Sequence, residues 1–208
     1  MSSRIRFSTA RNVFEAFPDL RRIAPAPTDE AAPLDYARRL LASRRPGDAI
    51  LFLAHLLPRR EAVWWARQCV GAILGSRADD DAFRAAEAWV RAPEEERRRA
   101  ALEIGGVADQ QCATTWLAIA AGWSGGSVTA PDQKPIQPPP SACAKAANAA
   151  IVLAACSAEP RLIASWIAAC VDAGVRFAEG DEARVIAPKS LGANPAKPAR
   201  RDPPPAQL

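Results

Sequence analysis

The stretch PRREAVWWARQC, residues 58–69, places two tryptophans side by side behind a proline and a short charged opening. Neighbouring side chains of an α-helix point about 100° apart, so one face of a helix cannot bury both rings. Trp65 falls on the main apolar stripe of such a helix, which consists of Ala62, Trp65, Ala66, Cys69, Ala72 and Ile73. Trp64 falls beside that stripe, in line with Arg60, Gln68 and Gly71. We therefore predict that Trp65 is a core residue. Trp64 is either covered by a neighbouring helix or half exposed with an arginine stacked on it.

The composition around this stretch favours an all-α fold. The chain has 208 residues, of which 49% are hydrophobic, enough for one domain with its own core. Alanine and leucine dominate the apolar residues and β-branched residues are few, which favours helix over strand. We predict stacked antiparallel helical hairpins, HEAT- or armadillo-like, or an irregular helical bundle.

Prolines, glycines and acidic caps divide the chain into helices of similar length. Pro58, Pro93 and Pro160 each stand where a helix can begin, because a first turn does not require the N–H that proline lacks. Aspartates at 79 and 80 can cap the free amides of another helix. The predicted helices are 31–44, 47–57, 59–74, 79–91, 93–105, 111–122, 141–157 and 160–178.

These elements predict three regions. Residues 1–27 hold a short helix around Ala10–Phe17 and a proline-containing linker. Residues 28–180 form the helical domain, interrupted by a proline-rich loop at 124–141 that we expect to be extended and partly polyproline II. Residues 181–208 are proline-rich and poor in apolar residues, and we expect this tail to be disordered.

Tryptophan recurs in similar surroundings along the chain. The segments VWWARQC, TWLAIAA and SWIAACV contain Trp64, Trp116 and Trp166, which are spaced about 50 residues apart. That spacing is typical of one helical hairpin in a stacked repeat. The pattern therefore favours helical repeats.

Charge and cysteine usage narrow the partners and the compartment. The net charge is +4, and residues 1–45 carry nine arginines against five acidic residues. Such a region can contact nucleic acid, but an arginine-rich composition is also what a GC-rich genome produces, so we do not expect a nucleic-acid partner. The five cysteines lack CxxC spacing and are odd in number, which predicts reduced, buried thiols rather than disulfides or a zinc site.

No segment has the pattern of a signal peptide or a membrane span. The N-terminus lacks an uninterrupted apolar region, and the apolar runs 149–158 and 162–171 are shorter than the roughly 20 residues that a spanning helix needs. We expect no membrane insertion and a cytoplasmic location.

The sequence offers little catalytic chemistry. GWSGG, residues 122–126, matches the GxSxG of serine hydrolases, but a predicted helix precedes Ser124 and the only histidine, His55, lies upstream. His55 sits in an apolar helix, where a lone histidine is more often a core or groove-lining residue than a catalyst. Nucleotide-binding and metal-binding motifs are absent from the sequence. We expect no enzyme activity, no cofactor and no metal.

Two charged features have structural interpretations. The block PEEERRRA, residues 93–100, is predicted to be a solvated helix start whose acidic and basic side chains pair with one another. Asp172 is expected on the polar side of its helix.

Residues 48–70, DAILFLAHLLPRREAVWWARQCV, together with TTWLAIAAGWSGGS and the alanine-rich helix after the loop, resemble an uncharacterised family of small helical bacterial proteins. The resemblance covers residues 30–178, is most specific at LPRREAVWWA, and links the chain to type VI secretion gene clusters. It implies an accessory or adaptor role in a proteobacterial cytoplasm and brings no catalytic residues.

We therefore expect a non-enzymatic scaffold with a protein partner. The candidate partner-binding residues are Arg59, Arg60, Trp64 and Gln68, since tryptophan and arginine commonly anchor protein interfaces. Two alternatives stay open. One is an enzyme or small-molecule binder that uses a helical groove near His55 and Trp64, and the other is a nucleic-acid binder that works through the N-terminal arginines.

Overall fold

The computed structural model describes residues 4–188, and every regular element in that part of the chain is helical. The α-helices are α1 Ala10–Ala16, α2 Pro33–Leu41, α3 Gly47–Leu56, α4 Arg59–Leu74, α5 Asp81–Arg91, α6 Glu95–Val107, α7 Ala113–Gly122, α8 Ala142–Cys156 and α9 Ile163–Glu179. Short 3-10 helices occur at Pro18–Arg22, Gly75–Ala78 and Pro160–Leu162. The predicted all-α class is confirmed. The expected disorder of the tail falls mainly on residues 189–208, which lie outside the described residues.

Local chemistry sets most helix starts where the sequence predicts them. Pro58 is the N-cap of α4, and the Asp80 side chain caps α5 by accepting a hydrogen bond from the Phe83 amide at 2.8 Å. Pro160 instead opens a 3-10 turn, so α9 begins at Ile163, three residues later than predicted. Proline suits either kind of first turn, and the sequence does not distinguish them.

Helix α8 lies at the centre of the packing. It contacts α7 next to it in the sequence, and also α3, α4 and α9. Alanines at 146, 147, 150 and 154 are fully buried. These small side chains let several helix backbones approach α8 closely, which is why a helix that is apolar nearly all round can be central.

Trp65 joins α4 to α9. Its side chain is fully buried, and its indole N–H donates a hydrogen bond to the Cys170 carbonyl at 2.9 Å. A Cβ added at Gly174 would lie 2.8 Å from the indole ring. The glycine therefore leaves the space that the ring occupies, and the prediction that Trp65 is a core residue is confirmed. Ala72, which the same pattern placed on the apolar stripe, is exposed near the end of α4.

The N-terminal segment contributes to the same core. Val13, Phe14 and Leu20 are buried in it. The Phe14 ring lies 6.0 Å from Phe52 and 6.1 Å from Tyr36, measured between centroids. Residues before the helical domain predicted from the sequence thus help to close one side of α3.

The Glu-Arg block at the start of α6 is only partly the solvated, self-paired segment that the sequence predicts. Arg97 pairs with Glu94 and Arg99 with Glu95 at the surface. Arg98 is 3% exposed, because its guanidinium turns inward and donates hydrogen bonds to the carbonyls of Gly122 and Ser127. A solvated Arg98 was therefore the wrong expectation.

Two of the five cysteines also depart from the expectation of buried thiols. All five are free, and Cys69, Cys143 and Cys170 are buried. Cys112 and Cys156 are exposed. Cys112 is the N-cap of α7, and Cys156 is the last residue of α8. Asp172 is exposed and pairs with Arg176 one turn along α9, as expected of the polar side of the helix.

Candidate docking site

Trp64 lies in a surface depression of about 260 Å³, which we call the Trp64 cleft. Its lining residues are Arg4, Arg60, Glu61, Trp64, Val90, Arg91 and Phe177. They come from α4, from the end of α5, from α9 and from the segment before α1. Val90 and Phe177 are buried and Trp64 is half-buried, so the cleft has an apolar floor.

Arginines frame this apolar floor. The Arg60 Nε donates a hydrogen bond to the Val90 carbonyl at 2.8 Å. The Arg4 guanidinium lies 4.2 Å above the Phe177 ring and donates to the carbonyls of Phe177 and Asp181 at 2.5 and 2.8 Å. Carbonyl oxygens orient these guanidinium groups without neutralising them, so their positive charge remains available to an anion.

The remaining charges of the cleft nearly balance. Arg91 pairs with Glu87 at 2.7 Å, and Glu61 is the carboxylate in the lining. The Arg91 guanidinium also holds the pKa of Glu87 below its usual value, so that this carboxylate stays ionised. Because Glu87 pairs with Arg91, the lining leaves the Arg4 and Arg60 guanidinium groups against the Glu61 carboxylate. The cleft therefore has a small net positive charge and favours an acidic ligand.

The structure does not bring all four predicted site residues together. Arg60 and Trp64 share the Trp64 cleft, one turn apart on α4. Arg59 points to another depression and donates to the Ser124 carbonyl at 2.8 Å. Gln68 lies at a third depression, where its side-chain oxygen accepts a hydrogen bond from Arg67 at 3.3 Å. Arg59 is separated from the cleft because adjacent helical positions diverge by about 100°.

The arginine that lies by Trp64 comes from α4 itself. The Arg67 guanidinium is 5.9 Å from the centroid of the Trp64 ring and pairs with Glu87 at 2.9 Å. Trp64 is partly buried against the hydrophobic core and also has this arginine over its ring, so each of the two sequence-based expectations for Trp64 holds in part. No local sequence pattern predicts that Arg4 and Phe177 line the cleft, because these residues reach it from opposite ends of the chain.

His55 and Trp64 do not share a groove. His55 is fully buried and lines a separate cavity with Arg59 and Phe17. Burial lowers the pKa of His55 below its usual value, which keeps the imidazole neutral. Ser124, in the GxSxG match, follows α7 and precedes a loop, without the strand that a nucleophile elbow requires.

Residues 4–188 hold neither a metal-binding cluster nor a membrane-spanning helix. That region contains no group of three or more His, Cys, Asp or Glu side chains placed to hold a metal ion. None of its helices combines the length and the apolar character needed to cross a membrane.

Residues 4–188 thus form an all-helical protein, in which arginines border the half-buried Trp64 ring at a surface cleft. The chain belongs to the Family of unknown function (DUF6931), whose model matches residues 36–178. No curated protein and no solved structure matches the chain. The matched region includes every lining residue of the Trp64 cleft except Arg4.

Proposed function

We propose that this protein is a non-enzymatic helical scaffold or adaptor that binds a protein partner through the Trp64 cleft. The observation that carries the proposal is the half-buried Trp64 ring between Arg4, Arg60 and Arg91. Tryptophan and arginine are the residues that most often dominate binding energy at interfaces. Here the indole offers apolar area while its neighbours offer charge.

The chemistry of the cleft indicates the chemistry of the partner. An apolar side chain can pack against the accessible part of the Trp64 ring, and a carboxylate beside it can accept hydrogen bonds from Arg4 and Arg60. The partner that fits is therefore an acidic segment with an apolar anchor residue. The volume of about 260 Å³ suits one or two side chains rather than a whole cofactor.

The wider setting of the proposal comes from the resemblance and from the packing. An accessory role in type VI secretion, in a proteobacterial cytoplasm, is the setting that the resemblance implies. Of the two proposed helical arrangements, the contacts of α8 with α3 and α4 favour an irregular bundle, because repeats of a linear HEAT- or armadillo-like stack contact only their neighbours.

The experiment compares capture of a partner by matched variants. Tagged wild-type protein, Trp64→Ala, Arg60→Gln and Trp116→Ala are expressed at native level in the source cell, and the proteins that co-purify are quantified by mass spectrometry. Trp116 is the control because it is also partly buried and belongs to the same repeated context, but lies on α7 and pairs edge-to-face with Trp123.

We expect one acidic partner that wild type and Trp116→Ala recover equally and that both cleft variants recover at least tenfold less. Recovery of the same proteins by Trp64→Ala, Arg60→Gln and wild type would contradict the proposal. A loss in Trp116→Ala equal to the loss in Trp64→Ala would also contradict it, because the effect would not belong to the cleft.

A further inference from the structure

A second cavity, separate from the Trp64 cleft, lies between the N-terminal segment, the end of α3 and the start of α8. Its volume is about 460 Å³, within the range of small-molecule sites. We call it the His55 cavity. Its lining includes Arg6, Phe7, Phe17, His55, Arg59 and Cys143.

His55 has an unused hydrogen-bond acceptor beside this cavity. Its Nδ1 lies 2.8 Å from the Leu51 carbonyl, and because a carbonyl can only accept, Nδ1 carries the proton. Nε2 is then a bare acceptor, and it is buried without a hydrogen-bond partner in the described part of the chain. Buried polar atoms usually have a partner, and Nε2 can accept a hydrogen bond from a ligand donor.

The walls of the cavity are apolar and aromatic. Phe7 and Phe17 pack edge-to-face with their ring centroids 6.3 Å apart, and the Phe17 ring lies 5.0 Å from the His55 ring. Leu57 and Pro140 add aliphatic surface. Both phenylalanines are only partly buried. His55 itself is fully buried, so a ligand can reach Nε2 only if the Phe17 ring turns aside.

The charges of the cavity are positive. Arg6 and Arg59 belong to its lining, which contains no carboxylate. Asp19, in an adjoining depression, is bound by Lys145 and by the Ser141 hydroxyl. The Cys143 thiol has its pKa raised to about 12 by burial and stays protonated. No anionic side chain of the lining competes for the two arginines.

We propose that the His55 cavity binds a small aromatic carboxylate that bears a hydroxyl group. Its carboxylate pairs with Arg6 and Arg59, its ring packs against Phe7 and Phe17, and its hydroxyl donates a hydrogen bond to the His55 Nε2. The site is independent of the proposed docking function, because the His55 cavity and the Trp64 cleft share no lining residue.

The test uses 4-hydroxybenzoate as the probe and the full-length protein, with binding measured by calorimetry and by ligand-observed NMR. Benzoate lacks the hydroxyl donor, and 4-methylphenol lacks the carboxylate. We expect 4-hydroxybenzoate to bind at least tenfold more tightly than either. Equal binding of all three compounds, or no detectable binding of 4-hydroxybenzoate at millimolar concentration, would overturn the proposal.

Matched variants locate the binding. The double substitution Arg6→Gln/Arg59→Gln removes both guanidinium groups from partly or fully exposed positions, so the fold should be retained. It should weaken 4-hydroxybenzoate at least tenfold, whereas Arg60→Gln, in the Trp64 cleft, should leave the affinity unchanged. His55→Leu should abolish the preference for 4-hydroxybenzoate over benzoate. If the double variant binds like wild type, or if Arg60→Gln weakens binding equally, the assignment to this cavity is wrong.

Discussion

At the residue scale, the two adjacent tryptophans show how one helical step changes the surroundings of a side chain. Trp65 points to α9 and is fully buried, and Trp64 points to the Trp64 cleft. The apolar stripe of α4 predicts the burial of Trp65 from the sequence alone and leaves open whether Trp64 is covered. It does not predict Gly174, because an isolated glycine inside a helix gives no sign of which distant ring requires its missing side chain.

Gly174→Ala is expected to destabilise the protein by about 1–3 kcal/mol, because the added methyl group would overlap the Trp65 ring. The matched control is Gly106→Ala, in α6, where an added Cβ meets nothing within 4 Å. There alanine should raise stability by about 0.5–1 kcal/mol through helix propensity. Urea denaturation measures both. A Gly174→Ala variant as stable as wild type, or more stable, would contradict the overlap with the Trp65 ring.

Thiol labelling tests the burial of the cysteines. Cys112 and Cys156 are exposed, and burial raises the pKa of Cys69 and Cys143, which suppresses the reactive thiolate. Ellman's reagent should modify two thiols of the native protein quickly and all five only after unfolding in urea. Rapid modification of four or five thiols in the native protein would show that the helices around α8 open readily.

At the scale of elements, the loop at 124–141 is held by arginine side chains of α6. The sequence predicts an extended proline-rich segment, and within it Val128 donates a backbone hydrogen bond to Ile136 at 2.9 Å. Arg98 binds the Ser127 carbonyl at 2.9 Å, and Arg99 binds that of Thr129 at 3.0 Å. Surface pairing within the Glu-Arg block could be predicted from its i, i+3 and i, i+4 spacing. The inward turn of Arg98 could not, because its acceptors lie 24 and 29 residues away.

Arg98→Ala is expected to lower the free energy of unfolding by about 2–4 kcal/mol, because it leaves the buried carbonyl of Gly122 without its side-chain donor and removes the packing of the guanidinium against Gly126. Arg97→Ala is the control, since Arg97 forms an exposed pair that should contribute less than about 1 kcal/mol. The two variants can be compared by urea denaturation. An Arg98→Ala variant as stable as Arg97→Ala would mean that the loop is not held by this arginine.

At the scale of the whole molecule, local signals predicted the helices and left their arrangement open. Prolines, capping residues and apolar periodicity are short-range, and the predicted boundaries agree with α2–α9 within three residues. The contacts of α8 with α3 and α4 depend on close approach over long separations, which periodicity does not encode. The Trp64 cleft also depends on contacts between residues that are far apart in the sequence. Arg60 and Trp64 were predicted from α4, whereas Arg4, Arg91 and Phe177 arrive through the fold.

Trp65 holds the fold, whereas we propose that Trp64 binds a partner, and urea unfolding of Trp64→Ala and Trp65→Ala separates these two roles. Trp65→Ala should lower the free energy of unfolding by about 3–5 kcal/mol, because it leaves a cavity at a fully buried site. Trp64→Ala should lower the free energy of unfolding by no more than about 1–2 kcal/mol, because the half-buried Trp64 ring buries less apolar area than the Trp65 ring. Equal losses of unfolding free energy in the two variants would make Trp64 a structural residue and would contradict its assignment to partner binding.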